Sequence, residues 1–265
     1  MTLSEIRKRL QALENPQIPV AQLGDDPAVF PHWLLPNNNT VRIRFLPDGN
    51  ADNCFFWVER YMIKLSFNGI KGQASSRPLV VNVPCMKTWN EPCPITDELK
   101  SWWNHEDLKQ FVIKYTRRKS YLLHGFVRDS PFKDQYSPEQ RVWRFSVGSQ
   151  VFNKIRNGLV NPDLAETPTN YKKGMDFEIR KTQSSDYADY QESNWVLRTS
   201  GLTLKEKQFL KDLELPNLVD SLPEKPTELD LKAIMEMFEA SIDGEPYDLK
   251  RWGQFYKPNG YVNVL

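Results

Sequence analysis

The chain has 265 residues, and its 40% hydrophobic and 12% aromatic content is enough to build the core of a globular protein. No apolar run approaches the roughly 18 residues that a membrane span requires, and the charged start of the chain lacks an apolar signal core. With three cysteines at no framework spacing, we expect an intracellular protein in a reducing compartment rather than a secreted disulfide scaffold.

The formal net charge of +1 conceals an asymmetry along the chain. Residues 100–210 carry 19 Lys and Arg against 13 Asp and Glu, whereas residues 211–250 carry 4 against 11. The acidic segment has two interpretations: a solvated acidic helix, or a mobile anionic element that competes with nucleic acid or recruits basic partners.

The first elements are predicted from the periodicity of the sequence. Residues 1–13 predict a short basic amphipathic helix, because apolar residues recur at helical spacing. The stretch up to about residue 39 is rich in Pro and Asn and predicts a loop or an extended arm. Apolar residues that alternate with arginines then predict a half-buried strand at 41–45.

The following elements alternate between strands and helices. Further strands are predicted at 55–65, 79–83, 142–147 and 175–181, and helices at 97–111 and 150–159. From about residue 202 the pattern turns helical and acidic, and Thr227 with Asp230 indicates a capped helix start. Together these elements predict a small barrel of the α+β or mostly-β kind.

Residues 114–121 (KYTRRKSY) place cations beside aromatic rings in what reads as a strand. Side chains alternate between the faces of a strand, so the two tyrosines and two of the cations would share one face. An exposed edge strand protected by charge would explain the cations alone. The tyrosines favour a binding face, because a groove for single-stranded nucleic acid combines cations for the phosphates with rings on which bases stack.

A second stretch has the same mixture of residues. Arg180 and Lys181 end a predicted strand, and Tyr187, Tyr190 and Trp195 follow closely. The same groove could therefore use cations and rings from both stretches.

No pattern in the sequence marks a catalytic site. The chain contains no phosphate-binding glycine loop, no His-Glu-x-x-His motif and no nucleophile elbow, and it has only three histidines. We therefore predict a protein without enzymatic activity. Cys85 and Cys93 could supply half of a structural zinc site, but such a site needs four ligands, and two free cysteines in a small loop are the simpler interpretation.

Several short motifs occur in an order and at spacings that resemble the gene 32 type single-stranded DNA-binding proteins of T-even-like bacteriophages. The motifs lie at 41–47 (VRIRFLP), 93–95 (CPI), 117–121 (RRKSY), 143–145 (WRF) and 187–193 (YADYQES). The resemblance implies an OB-fold core with a small inserted subdomain and no catalysis. It also implies binding to single-stranded DNA, cooperatively and with little sequence preference, during phage DNA replication, recombination and repair.

The resemblance also assigns roles to individual residues. A base-contacting tyrosine of the family matches Tyr121, an aromatic pair matches Tyr187 and Tyr190, and an aromatic strand position matches Trp143. With the neighbouring cations, the predicted nucleic-acid-binding set is Arg117, Arg118, Lys119, Tyr121, Trp143, Arg144, Arg180, Lys181, Tyr187 and Tyr190. The family's basic N-terminal segment mediates head-to-tail self-association on DNA, and Arg7, Lys8 and Arg9 are similar to it in character and place.

The organisation implied by the resemblance has three parts. Residues 1–20 form the self-association segment, and residues 21–205 form the OB-fold core, with the inserted subdomain at roughly 54–110. Residues 206–265 form an acidic, helical C-terminal segment.

The zinc site is one departure from the family pattern. Members hold zinc through one histidine and three cysteines, whereas this chain has Tyr61 at the histidine position and Thr96 at that of the last cysteine. Only the two cysteines named above remain as weak candidate ligands. We therefore predict that zinc is absent or weakly bound, and that packing by Trp89 and Ile95 replaces it.

The end of the chain is the other departure. The family usually finishes in a long flexible acidic tail, whereas this chain closes with the sequence YKPNGYVNVL, and the acidic segment 211–250 could substitute for the tail.

The implied partners are single-stranded DNA, further copies of the chain, and phage replication and recombination proteins, with no membrane. The implied location is the cytoplasm of the infected bacterial host. The competing interpretation is a protein-interaction or virion-assembly module whose basic and aromatic surface binds an acidic partner.

Overall fold

The computed structural model describes residues 28–73, 75–132, 142–164, 166–184 and 187–258. The chain divides into two compact units, each made of two segments that are distant in the sequence. The first unit is Met1–Val58 with Ser120–Ser221, and the second unit is Glu59–Lys119 with Leu222–Leu265. Each unit has a hydrophobic core of its own.

The strands, in chain order, are β1 (Asn39–Phe45), β2 (Val58–Phe67), β3 (Leu79–Pro84), β4 (Arg118–Asp129), β5 (Trp143–Gly148), β6 (Gly174–Ser184), β7 (Tyr187–Asp189) and β8 (Asn194–Ser200). The α-helices are α1 (Pro94–Trp102), α2 (Lys109–Tyr115), α3 (Ser149–Leu159), α4 (Leu204–Lys211), α5 (Glu228–Ile242) and α6 (Leu249–Trp252). Short 3-10 turns lie at His32–Leu34, Met86–Trp89, Glu106–Leu108 and Leu218–Ser221. Within the described ranges, no helix has the length and apolar character needed to cross a membrane.

An antiparallel sheet forms the first unit. β4 pairs with β1 and β5, β1 pairs with β6, and β6 pairs with β7 and β8. The sheet is a curled half-barrel that is compatible with an OB-like fold. Val41, Ile43 and Phe45 of β1 are buried in the core of this unit, because the apolar residues occupy every second position of the strand. The apolar side of α3 contributes to the same core.

A buried ionic network lies on the other side of β1. The guanidinium of Arg44 lies 3.3 Å from Asp176, and Arg128 lies 2.7 Å from the same carboxylate. Arg128 also lies 2.8 Å from Glu206. Burial alone would raise the pKa of Glu206, but hydrogen bonds from Arg128 and from the backbone of Thr203 outweigh it, and the pKa lies below its ordinary value. Arg44 is therefore buried as well, with each charge in the network paired.

The second unit combines the β2–β3 hairpin with helices α1, α2, α5 and α6. Helix α5 begins at the cap that the sequence indicates. The backbone N–H of Thr227 donates to Asp230 at 2.8 Å, and the backbone N–H of Asp230 donates to the Thr227 hydroxyl at 3.3 Å. The apolar side of α5, which includes Met237 and Phe238, is buried in the core of this unit.

The acidic segment 211–250 is therefore packed over much of its length. The Ser241 hydroxyl donates to the backbone carbonyl of Ser66 at 2.7 Å, and the Tyr115 hydroxyl donates to the Ser241 carbonyl at 2.8 Å. These contacts favour the solvated acidic helix over the mobile anionic element. The expected C-terminal segment 206–265 divides between the two units, because the boundary falls after Ser221.

Several boundaries differ from those that the sequence predicts. The single helix predicted at 97–111 is two helices, α1 and α2, separated by the turn at Glu106–Leu108. The basic strand predicted at 114–121 begins only at Arg118, because Lys114 and Tyr115 form the end of α2, where the Tyr115 ring packs edge-on against Phe238. The subdomain predicted at 54–110 corresponds to Glu59–Lys119 and is completed by residues from the C-terminal segment.

Candidate nucleic-acid interface

The β6–β7 hairpin of the first unit carries several of the predicted binding residues. Its register pairs Ser184 with Tyr187, so Tyr187 lies near the tip of the hairpin, where 80% of the residue is exposed. Lys181, farther from the tip, donates from Nζ to the backbone carbonyl of Trp33 at 2.8 Å. Trp33 is itself 40% exposed. Exposed rings and a lysine therefore occur together, which is the combination that single-stranded nucleic acid requires.

Tyr190 is half-buried just after β7. Its backbone N–H donates to Gln150 at 3.0 Å, and the Gln150 amide donates to Asp189, so the first turn of α3 holds this end of the hairpin. The Tyr190 ring makes an edge contact with His32, with 5.8 Å between the ring centroids. Burial raises the pKa of Tyr190 and lowers that of His32 to about 4. Both side chains are thus neutral at neutral pH, so neither forms an ion pair with a phosphate.

Arg180 is paired within the same unit. Its Nε lies 2.9 Å from Glu192, and both side chains are substantially exposed. The Arg180 backbone N–H donates to the buried Ser193 hydroxyl at 3.0 Å, which fixes the strand but leaves the guanidinium at the surface. Exposed ion pairs contribute little to stability, so exchange of Glu192 for a DNA phosphate costs little.

Two of the predicted rings are buried in the core of the first unit. Tyr121 is 7% exposed and stacks on Phe152 of α3, with 3.4 Å between the ring centroids. Trp143 packs edge-on against Phe30 at 5.6 Å. Both rings occupy core-facing positions of their strands, whereas Arg144, which follows Trp143 in β5, is half-buried and its carbonyl accepts a backbone hydrogen bond from Phe30 at 2.8 Å. Contact of Tyr121 or Trp143 with a base would require neighbouring side chains to move.

The three cations that follow α2 lie in the second unit. Arg117 and Lys119 lie 5.7 and 5.5 Å from the centroid of the Tyr61 ring, distances typical of cation–π contacts. Arg118, between them in the sequence, is exposed at the start of β4. Lys119 also forms an ion pair with Glu59 at 2.6 Å. The structure therefore places two of the three cations, Arg117 and Lys119, beside one aromatic ring.

Cys85 and Cys93 lie near the residues that replace the family's other zinc ligands. The Cys85 backbone N–H donates to the Tyr61 carbonyl at 2.9 Å, and Cys85 Sγ lies 3.8 Å from Thr96 Oγ1. A hydrogen bond from the Cys85 thiol outweighs burial and holds the pKa of Cys93 below its ordinary value. Structural zinc takes four thiolate, imidazole or carboxylate ligands, so two cysteines with a tyrosine and a threonine do not fit it. The described part of the chain contains no group of three or more His, Cys, Asp and Glu that could hold a metal ion.

Apolar side chains pack around this cysteine loop. Ile95 is buried in the core of the second unit, and Trp89 is half-buried against the same core. Both side chains pack in this core, and their replacement of zinc stays a prediction.

Trp33 is an exposed ring that the sequence analysis did not assign to the interface. It lies at 30–36 (FPHWLLP), where most neighbours are apolar, so no local signal in the sequence separates this exposed ring from the buried Phe30 and Leu35. The predicted self-association residues, Arg7, Lys8 and Arg9, lie outside the described residues.

Comparisons with known proteins agree with the ligand that these residues suggest. A family model described as "gp32 DNA binding protein like" matches residues 37–234. The chain is 23% identical over 184 residues to the single-stranded DNA-binding protein of Enterobacteria phage T2, and 22% identical over 184 residues to that of Enterobacteria phage T4. Each match covers 66% of this chain and 56% of the relative, so the chain spans about half the length of these relatives. Because the family model matches most of the chain, including the hairpin and the three cations, the chain belongs to the gp32-like family of DNA-binding proteins.

Proposed function

We propose that this protein binds single-stranded DNA without catalysis and with little sequence preference, and that it coats the strand during phage DNA replication, recombination and repair. The observation that carries the proposal is the β6–β7 hairpin, where Tyr187 is exposed and Lys181 adjoins the exposed Trp33. Membership of a DNA-binding family and the printed names of the phage relatives support the choice of ligand.

Two physical effects would provide the affinity. Lysine and arginine side chains would neutralise phosphates and release counterions, which makes binding depend on salt. Exposed rings would stack on unpaired bases, each contributing about 1–3 kcal/mol and discriminating little between sequences because every base has a flat face. The hairpin supplies both kinds of group on the OB-like first unit, which we propose as the DNA-binding module.

A fluorescence titration with poly-dT at several salt concentrations tests the proposal. Wild-type protein should show quenching of its tyrosine and tryptophan emission, and the affinity should fall as salt rises. Tyr187→Ala should bind more weakly, whereas Leu197→Ala should bind as the wild type does, because Leu197 is 95% exposed on the same unit but has no ring. Wild-type protein that shows no quenching and no binding would contradict the function and would favour the protein-interaction alternative.

Cooperative binding is a further part of the proposal. The basic residues Arg7, Lys8 and Arg9 would contact the neighbouring copy on the strand, so deletion of residues 1–13 should abolish clustering on long DNA but spare affinity for a short oligonucleotide. Equal loss of both would contradict this role.

We also propose that zinc is absent or weakly bound, because the residues around Cys85 and Cys93 do not form a four-ligand zinc set. Elemental analysis of protein purified without chelator tests this point, and one zinc per chain would contradict it.

The proposed partners beyond DNA are further copies of the chain and phage replication and recombination proteins. The proposed location is the cytoplasm of the infected host.

A further inference from the structure

A pair of aromatic rings in tilted contact lies at the surface of the first unit, outside the hairpin described above. Phe55 is 53% exposed, and its ring centroid lies 4.6 Å from that of Trp57, with 32° between the ring planes. An exposed phenylalanine loses the free energy that burial of its ring would provide. Its position therefore needs a physical explanation, and nothing assigned so far uses it.

Hydrogen bonds fix the loop that carries these rings. The Asn53 side chain accepts from the Phe55 backbone N–H at 3.0 Å and donates to Asp48 at 2.7 Å and to the Trp57 carbonyl at 3.3 Å. Asp48 in turn accepts from the backbone N–H of Leu218 at 2.9 Å. The two rings are thus held before any ligand arrives, which lowers the ordering cost of binding.

The exposed pair continues into rings of the core. Trp57 makes an edge contact with Phe152 at 5.1 Å between centroids, and Phe152 stacks on Tyr121. Tyr121 is one of the residues predicted to contact a base. A continuous series of four rings therefore runs from Phe55 at the surface to Tyr121 in the core, and only its outer end is open to a ligand.

We propose that Phe55 and Trp57 form a stacking platform for a base of single-stranded DNA. The proposal rests on the proposed function and adds a subsite to it. The open face of the Phe55 ring, with Trp57 against it, matches the face of a base, and stacking of this kind needs no sequence-specific hydrogen bonds. Neither ring carries a charge, so the platform binds through the base and leaves the salt dependence unchanged.

The main experiment compares Phe55→Ala with Leu197→Ala, which removes an exposed side chain without a ring from the same unit. Each variant is titrated with a dT oligonucleotide and with an abasic oligonucleotide of the same length. We expect Phe55→Ala to lose about fivefold or more in affinity for dT, which is the effect of about 1 kcal/mol of lost stacking. Its affinity for the abasic strand and its salt slope should match those of Leu197→Ala. Phe55→Trp should retain the wild-type affinity.

Cys54 offers an independent measurement without mutation. It is exposed and adjoins Phe55 in the sequence, whereas the other two cysteines are buried. Saturating dT oligonucleotide should slow alkylation of Cys54 by iodoacetamide several-fold, and an abasic strand should slow it less.

The possible results separate the platform from the function. Wild-type protein that does not bind dT would overturn the proposed function, and the platform with it. Wild-type binding with equal losses in Phe55→Ala and Leu197→Ala, or no protection of Cys54, would overturn the platform alone. An equal loss of affinity of Phe55→Ala for dT and for the abasic strand would also overturn it, since stacking requires a base. A thermal melt of each variant shows that it remains folded.

Discussion

The ion pair between Lys119 and Glu59 allows the proposed contact with DNA phosphates to be measured. The two charged groups lie 2.6 Å apart, with 31% and 46% of the side chains exposed. A phosphate that approaches Lys119 meets a carboxylate already in place, so the lysine presents less than one full charge to DNA. Glu59→Gln removes the carboxylate charge but keeps an oxygen that can accept the hydrogen bond from the Tyr61 hydroxyl, 3.2 Å away.

The size of the effect follows from counterion release. Each phosphate of a single strand that the protein neutralises adds about 0.7 to the slope of log K against log salt concentration. If Lys119 gains one phosphate in Glu59→Gln, the slope should steepen by about 0.7. If both proteins bind equally at about 1 M salt, Glu59→Gln should bind roughly threefold more tightly than the wild type at about 0.2 M salt and roughly eightfold more tightly at about 0.05 M.

The assay is a dT titration at four or more salt concentrations, with Glu166→Gln as the matched control. Glu166 is an exposed carboxylate of the first unit that lies 3.8 Å from Lys173, so its substitution changes the net charge equally without unmasking a predicted binding residue. If Glu59→Gln and Glu166→Gln shift the slope by the same amount, the reasoning is refuted. Lys119 would then make no phosphate contact that Glu59 limits.

Four further predictions concern the stability of the first unit. Arg128→Ala should lower the free energy of unfolding by about 3–5 kcal/mol in urea, because it leaves buried Glu206 without its guanidinium, and a variant as stable as the wild type would contradict this. The pKa of Glu206 is lowered in the folded state, so ionised Glu206 stabilises the fold above its unfolded pKa of about 4.3, and this stabilisation is lost as pH falls through the folded pKa. Wild-type protein should therefore lose more stability below about pH 4 than Arg128→Ala does. Parallel curves of stability against pH for the two proteins would refute the pairing. Gly125→Ala should lower the melting temperature, because a Cβ would lie 2.3 Å from the Arg44 carbonyl oxygen, and an unchanged melting temperature would contradict that clash. Tyr121→Ala should lower the free energy of unfolding by about 3 kcal/mol or more, since it empties a core position, so its DNA affinity must be compared at a temperature where it is fully folded.

Local signals in the sequence predict much of the fold. Strands β1, β3 and β5 and helix α3 fall where alternation or helical spacing predicts them, because each pattern describes which side chains of one element face the core. The capping box of α5 is likewise readable, since both hydrogen bonds join Thr227 and Asp230, which lie within one turn of the same helix. Family resemblance adds the DNA-binding class, which the family model confirms.

Burial of particular side chains depends on contacts between residues that are distant in the sequence, so local sequence patterns could not predict it. Tyr115 looks like part of the basic strand, but its hydroxyl bonds to Ser241, more than a hundred residues later, and the ring belongs to a helix. Tyr121 looks like an exposed ring among cations, but α3 supplies Phe152 to cover it. Arg44 looks solvent-facing, but Asp176 pairs with it. In each case the deciding partner lies on another element.

The discontinuous second unit has a consequence for the order in which the chain can fold during synthesis. Its hairpin and first two helices leave the ribosome well before α5, which supplies Met237 and Phe238 to the same core and Ser241 to the Ser66 backbone. The early segment must therefore persist with exposed apolar surface until the late segment arrives, a period of roughly 6–25 seconds at about 5–20 residues per second. A nonsense mutation before residue 228 would leave that surface permanently uncovered, so such truncated chains would be substrates for chaperones and proteases rather than shorter working proteins.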